Sequence, residues 1–330
     1  MGKHEPLISV LICNYNYAKY IKETLNSATA QTYQNIEIIV IDDGSTDESV
    51  PVVNKCINEN PKSNIRFIPN KKNKGICYTR NEALAAAEGD YVLFLDSDDT
   101  IPIDYIETMY TLAIKHSADV VYGDMKLFGD QKGVVTFPEY SLDELLLHNY
   151  INVSSLLRKD KLDGQKFDTK LNRQTLEDYD FWLGLALKGL KFIKAPNVYL
   201  NYRIQSKTRN KNVLSIREKA LSFIDKWSYS IEKYRKLYPK MITGEVYLDE
   251  IRYQLNQMQL IEDEVKRLNN LIQNELNPEL RVRDKHINHQ KQQIEDLQSR
   301  LEKLLASNDY RLGRMVFGPV RKIKRHSNNQ

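Results

Sequence analysis

Residues 7–13 read LISVLIC and residues 36–41 read IEIIVI. Each is a near-continuous apolar run without alternation, the pattern of a strand covered on both faces of a parallel sheet. Between them lie the polar residues Asn14-Tyr15-Asn16 and a helical stretch at about 18–32. The second run stops at Asp42-Asp43-Gly44, where Ser45 with Glu48 matches a capping box and predicts a helix start. Residues 65–68 form a short apolar run and residues 75–87 a helical one. A fourth strand, YVLFL at 91–95, runs into Asp96-Ser97-Asp98-Asp99. A helix over 104–116 and a strand over 119–122 complete the series. This alternation predicts an α/β fold: an open, mostly parallel sheet flanked by helices. In such sheets ligands bind beyond the carboxyl ends of the strands. Asn14-Tyr15, Asp42-Asp43 and Asp96 to Asp98 are therefore expected to converge on one edge.

The composition sets bounds on function. Of 330 residues, 41% are hydrophobic and 9% aromatic, which is enough for a core and excludes wholesale disorder. A net charge of +4 on this length gives no reason to expect a nucleic-acid partner. Cys13, Cys56 and Cys77 show no CxxC spacing and read as free thiols in a reducing compartment. The N-terminus lacks an apolar signal core, and no run of about 18 apolar residues occurs. The expected location is the cytoplasm, or peripheral contact with the inner face of the plasma membrane. No GxGxxG and no GxxxxGK[ST] occur, which argues against a standard dinucleotide site and a P-loop.

The character of the chain divides it into 1–210, 211–309 and 310–330. In the middle region glycine nearly vanishes. Ile261, Val265, Leu268 and Ile272 keep four-three spacing, as do Ile287, Ile294 and Leu301 with Leu297 and Leu304, and Gln290 is a polar seam position. A helical hairpin or a self-associating coil through 261–305 is expected. After Asp309 no acidic residue remains, and Arg311, Arg314, Arg321 and Lys322 accompany Leu312, Val316 and Phe317. That composition suits peripheral contact of 310–326 with an anionic membrane; the alternative is a solvated basic end packed on the helical region.

Asp96-Ser97-Asp98 either caps a turn or holds a cation. Three carboxylates crowded beside an apolar strand repel one another unless a cation offsets them, which favours a metal completed by phosphates and water. The Asp42-Asp43 turn either caps a helix or accepts hydrogen bonds from a base or ribose.

Taken together, SVLICNYNYAKYIKETLNSATAQTYQNIEIIVIDDGSTD (9–47), NKGICYTRNEALAAAEGDYVLFLDSDD (73–99), LEDYDFWLGLALKG (176–189) and YRIQSKTR (202–209) resemble the family-two glycosyltransferases of the GT-A fold, of the bacterial surface-polysaccharide type. The resemblance implies a Rossmann-like sheet with a C-terminal helical extension. It implies that Cys13, Asn14 and Tyr15 line the nucleoside, that Asp43 contacts the base with Asp42 in support, and that Arg80 lies near the nucleotide. A helical arginine in solvent is the alternative reading of Arg80. Asp98 is implied to bind Mn²⁺ or Mg²⁺ through the diphosphate. Asp96 is implied to contact the ribose or the metal, beside Ser97.

The same resemblance makes Asp178 the general base of the acceptor site, with Glu177 the alternative, while the acidic pair also suits an ordinary helix N-terminus. Trp182 is either an acceptor-site ring or core. Family members often carry His where this chain has Gln205, which leaves the third metal ligand unassigned. The implied reaction is inverting transfer of a sugar from a nucleoside-diphosphate donor, UDP for preference, to a hydroxyl of a glycan or lipid-linked acceptor in surface-polysaccharide synthesis. Rival classes are a sugar nucleotidyltransferase, which lacks its glycine-rich opening loop here, and a non-catalytic coiled-coil scaffold.

Overall fold

A computed structural model of the chain describes residues 5–147, 149–173, 176–205, 229–230, 233–234 and 291–299. They belong to two compact units: residues 5–205 with 229–230 and 233–234 in the first, and 291–299 in the second. In the second, 291–299 is helical with Leu297 buried. The rest of the expected heptad seam and the basic segment 310–326 lie outside the described residues.

The first unit runs β1 (Ile8–Asn14), α1 (Ile21–Thr29), β2 (Ile36–Asp42), α2 (Ser49–Glu59), β3 (Ile65–Pro69), α3 (Ile76–Ala86), β4 (Tyr91–Asp96), α4 (Tyr105–His116), β5 (Val120–Gly129), β6 (Gly133–Val135), α5 (Leu142–Leu147), β7 (Leu156–Arg158), α6 (Glu177–Leu187) and β8 (Phe192–Ile204). Every residue of β1 is buried, as a strand sandwiched between helical layers requires. α1 buries Ile21, Leu25 and Ala28, one stripe at helical spacing.

The strand order is β3-β2-β1-β4-β7-β5-β6, with β8 beside β5. The half containing β3, β2, β1 and β4 is parallel. Its register places Asn14 opposite Asp42 and Cys13 opposite Asp96, so three polar strand ends lie level at one edge. The other half is mixed. β7 runs antiparallel to both β4 and β5, and β6 antiparallel to β5. These short strands are joined without the long helical crossover that parallel neighbours need, so residues beyond 125 carry no βαβ pattern to read.

β8 pairs parallel with β5 through a bulge between Tyr122 and Asp124. A Cβ on Gly123 would meet the Val198 carbonyl oxygen at 2.6 Å, which explains glycine at the irregularity. The far end of β8 reaches back to the β4 loop, where Thr100 and Asn201 exchange backbone hydrogen bonds of 3.1 and 3.0 Å.

Ser45 differs from expectation. Its hydroxyl donates to Asp42 at 2.6 Å instead of capping a helix, and α2 begins four residues later at Ser49. The Ser45 oxygen, which a helix cap would use to accept from a helix N–H, instead accepts from Asn16 N at 2.9 Å. α6 is apolar around most of its circumference and buries Tyr179 through Ala186, the mark of a helix packed on all sides. Lys233 closes one side, with Nζ 2.6 Å from the fully buried Asp180 and 2.9 Å from Asp168. The Tyr234 hydroxyl donates to the Asp180 carbonyl at 3.0 Å. No helix among the described residues is long and apolar enough to cross a membrane.

Candidate active site

Beyond the level strand ends lies a cavity of about 610 Å³. Its lining includes Cys13, Asn14, Tyr15 and Tyr17 from β1 and its loop, and Asp96, Ser97 and Asp98 from the end of the neighbouring β4. Burial pushes the Cys13 thiol up to about 12, so it is a neutral wall group and no nucleophile. Asn14 donates to Asp42 at 2.7 Å, and its buried Oδ1 has no partner among the described residues.

Asp43 faces this cavity and is itself held by the backbone. Its Oδ1 accepts from Lys74 N at 2.9 Å and its Oδ2 from Gly75 N at 2.7 Å. Gly75 sits at φ +95°, and a Cβ there would meet the Asn172 side chain at 2.4 Å. Asn172 in turn donates to the Lys74 carbonyl and accepts from Cys77 N, so the 172–173 loop closes onto the start of α3. Asp42 does not line the cavity: with 1% exposure it ties Asn14 to Ser45 beneath the surface. Asp42, grouped with the donor-binding residues as a support for Asp43, thus stands behind that turn and does not itself reach the cavity.

Arg80 is the hinge of the site. It is buried on α3, donating to Asp96 Oδ1 and to Glu177 Oε1, each at 3.1 Å. Its guanidinium lies 5.2 Å from the Phe167 ring, which stacks on Phe181 at 4.2 Å. Burial disfavours its charge, but Asp96 and Glu177 outweigh that and hold it firmly protonated. The solvent-exposed reading of Arg80 is therefore overturned.

Asp98 accepts from Gln205 Nε2 at 2.7 Å, so Gln205 stands at the acidic loop as a hydrogen-bond donor. Burial and the neighbouring Asp96 push Asp98 up to about 6 and Asp99 up to about 9. Arg203 braces the same loop: its N donates to Asp99 at 2.7 Å and its Nε to the Asp98 carbonyl at 2.7 Å. Its head lies over Phe128 and Tyr20 and pairs with Glu23.

A second cavity of about 290 Å³ opens on the other side of Arg80 and Asp96, lined by Asn149, Asn152, Glu177 and Asp178 among others. Asp178 accepts from Asn149 Nδ2 at 3.0 Å and from its neighbour Tyr179 N at 2.8 Å. Burial raises both carboxyls, Glu177 to about 7. Leu176, just before them, is held at φ +77°, a strained conformation for a branched residue.

Ten of the twelve expected site residues thus line one cavity or both, Asp42 and Trp182 being the exceptions. Trp182 is fully buried, with its ring edge-on to Phe181 and Phe192. It is core, the second of the two readings, and the candidacy as an acceptor-site ring falls. Sequence reading missed Arg173 and Asn73, which join the first cavity, and Asn149 and Asn152 in the second. No local pattern marks them, because each reaches the site from a loop. Among the described residues no group of three or more His, Cys, Asp or Glu is arranged to hold a metal.

Residues 9–163 match the family described as Glycosyl transferase family 2. An uncharacterized glycosyltransferase of Haemophilus influenzae is 34% identical over 191 residues, covering 56% of this chain and 74% of that one. Escherichia coli WfaP, a UDP-Glc:alpha-D-GlcNAc-diphosphoundecaprenol beta-1,3-glucosyltransferase, is 32% identical over 207 residues, covering 61% of this chain and 78% of that one. Other curated relatives are longer, the chain spanning 18% of one and 49% of another. The crystal structure of S. aureus TarS 1-349 in complex with UDP aligns with a TM-score of 0.55 and 26% identity, over 68% of this chain and 65% of that one. The helix-flanked mixed sheet is the GT-A arrangement. With its family-specific segment, these relatives and this fold, the chain belongs to glycosyl transferase family 2.

Proposed function

We propose that the chain transfers a sugar from a nucleoside-diphosphate donor, preferentially a UDP-sugar, to a hydroxyl of a glycan or lipid-linked acceptor, with inversion at the anomeric carbon. The observation that carries this reading is that two cavities share one wall, Arg80 and Asp96, with Asp178 and Glu177 confined to the smaller one. The larger takes the donor, with Asn14, Tyr15 and Asp43 toward the nucleoside and Asp96, Ser97 and Asp98 toward the diphosphate. The UDP named for TarS and WfaP supports the choice of base.

Asp96 and Asp98 fit a divalent cation, Mn²⁺ or Mg²⁺. Burial, with the charge of Asp96 added, pushes Asp98 up to about 6, and a cation would offset both. With no third acidic or imidazole ligand beside them among the described residues, the remaining positions would fall to the diphosphate and water. Such an ion supplies charge stabilisation for the departing nucleoside diphosphate.

Asp178 takes the proton from the acceptor hydroxyl as its oxygen bonds to the anomeric carbon. The bond from that carbon to the phosphate oxygen breaks, and its electron pair leaves with the nucleoside diphosphate. Attack from the face opposite the leaving group inverts the centre. Asn149 steadies the base by donating to its carboxylate. Removing a hydrogen bond to the charged form disfavours that form. Asn149→Leu is therefore expected to move the acid limb of the rate profile to higher pH, with activity recovering in alkali; an unmoved limb would remove Asn149 from this role. For the reaction itself, nucleoside diphosphate release is measured across nucleotide sugars with Mn²⁺, Mg²⁺ or a chelator. Release from one or a few donors, abolished by chelation, is expected. Pyrophosphate release from a nucleoside triphosphate instead would overturn the reading in favour of a nucleotidyltransferase.

A further inference from the structure

The smaller cavity has a charge balance and a wall chemistry that narrow what it accepts. Its carboxyl groups are Asp96, Asp99, Glu177 and Asp178. Among its described lining residues the one cation is Arg80, and that guanidinium already donates to Asp96 and Glu177 at 3.1 Å each. An anion entering here finds no uncommitted side-chain cation, and a divalent ion at Asp96 and Asp98 would be engaged by the donor diphosphate; the anion faces the Asp178 carboxylate and loses its water. Apolar side chains also line it: Met125, Phe137, Ile151, Val153, Leu200 and the Tyr202 ring. Asn149 and Asn152 add amide groups at the same cavity. Apolar side chains interspersed with amides and carboxyls suit the C–H face and hydroxyls of a sugar ring. At about 290 Å³, under half the donor cavity, the space corresponds to a single sugar residue.

We propose that the sugar residue accepting the transfer carries no anionic group, and that the cavity formed by α6, the β8 end and the 149–153 loop excludes uronic acids and sugar phosphates at that position. This rests on reading the smaller cavity as the acceptor site. It concerns only the residue that bears the reacting hydroxyl; a phosphate further along the acceptor lies outside the cavity and is not constrained.

The test uses the full chain, the donor found by nucleoside diphosphate release, and matched aryl glycosides: each neutral hexoside beside its uronic acid and its 6-phosphate. Transfer is read by product mass, and binding to the UDP complex by saturation-transfer NMR, so that a glycoside that binds without reacting is also counted. The expected result is that neutral members bind or react at least about tenfold better than both anionic partners. Anionic members equal to or better than the neutral ones overturn the proposal. So does the absence of binding by every neutral glycoside while donor turnover is intact. Loss of donor turnover altogether would strike the glycosyl-transfer reading instead, which separates the two failures.

Discussion

Asp178→Asn is expected to lower transfer by roughly 10²–10⁴-fold, the ordinary worth of a positioned general base, while leaving UDP affinity unchanged. The amide keeps the shape of the carboxylate and loses its basicity. Asp178 lines the smaller cavity and is absent from the lining of the larger one, so the donor should not sense the change. Turnover by product mass and UDP affinity by calorimetry check the two halves. Weakened UDP binding with normal turnover would sink the assignment. Glu177→Gln separates the adjacent carboxylate: because Glu177 Oε1 accepts from Arg80, its loss should disturb both cavities, raising the donor KM as well as slowing transfer.

Arg80→Met is expected to destabilise the first unit by about 3 kcal/mol, toward the lower end of what breaking a buried ion pair costs. The lower end applies because Asp96 keeps a side-chain exposure of 35%, whereas Glu177 keeps 15%. Glu177 would be left buried beside Asp178 without its counter-charge, and the Phe167 ring would lose the guanidinium above it. For a unit of this size that corresponds to a melting shift of about 6–12 °C. Adding Glu177→Gln to Arg80→Met should restore part of the loss, since it removes the stranded carboxylate. Thermal melts of the single and double variants decide the matter, and an unshifted melt for Arg80→Met would show that the triad adds nothing to stability.

How much of this was legible beforehand differs from element to element. β1, β2 and β4 were readable because strands buried on both faces must be apolar throughout, and their ends stand out as abrupt changes to Asn, Asp and Ser. The first cavity followed from that. The second did not, because it is assembled by the 149–153 loop, the first turn of α6 and the far end of β8. Contacts of that kind join residues about a hundred positions apart, as Arg203 to Asp98 and Gln205 to Asp98 do, and no local periodicity encodes them. The Ser45 capping box failed for a related reason: the pattern was present, but Asn16 N, 29 positions earlier, donates to the Ser45 oxygen at 2.9 Å and takes the acceptor a cap would need.

The chain's local chemistry therefore determined the α/β alternation, the level row of acidic strand ends and the family motifs that carry Asp96, Asp98 and Asp178. Tertiary structure alone decided which of those groups share a wall. The sequence leaves Arg80 between a place near the nucleotide and a helical residue in solvent. Burial between Asp96 and Glu177 makes it the common boundary of two cavities, because a guanidinium taken out of water must be paired on more than one side. For Trp182, which the sequence leaves open between an acceptor-site ring and core, the fold decides for core, since a helix enclosed on all sides leaves its large apolar side chains nowhere to go but inward.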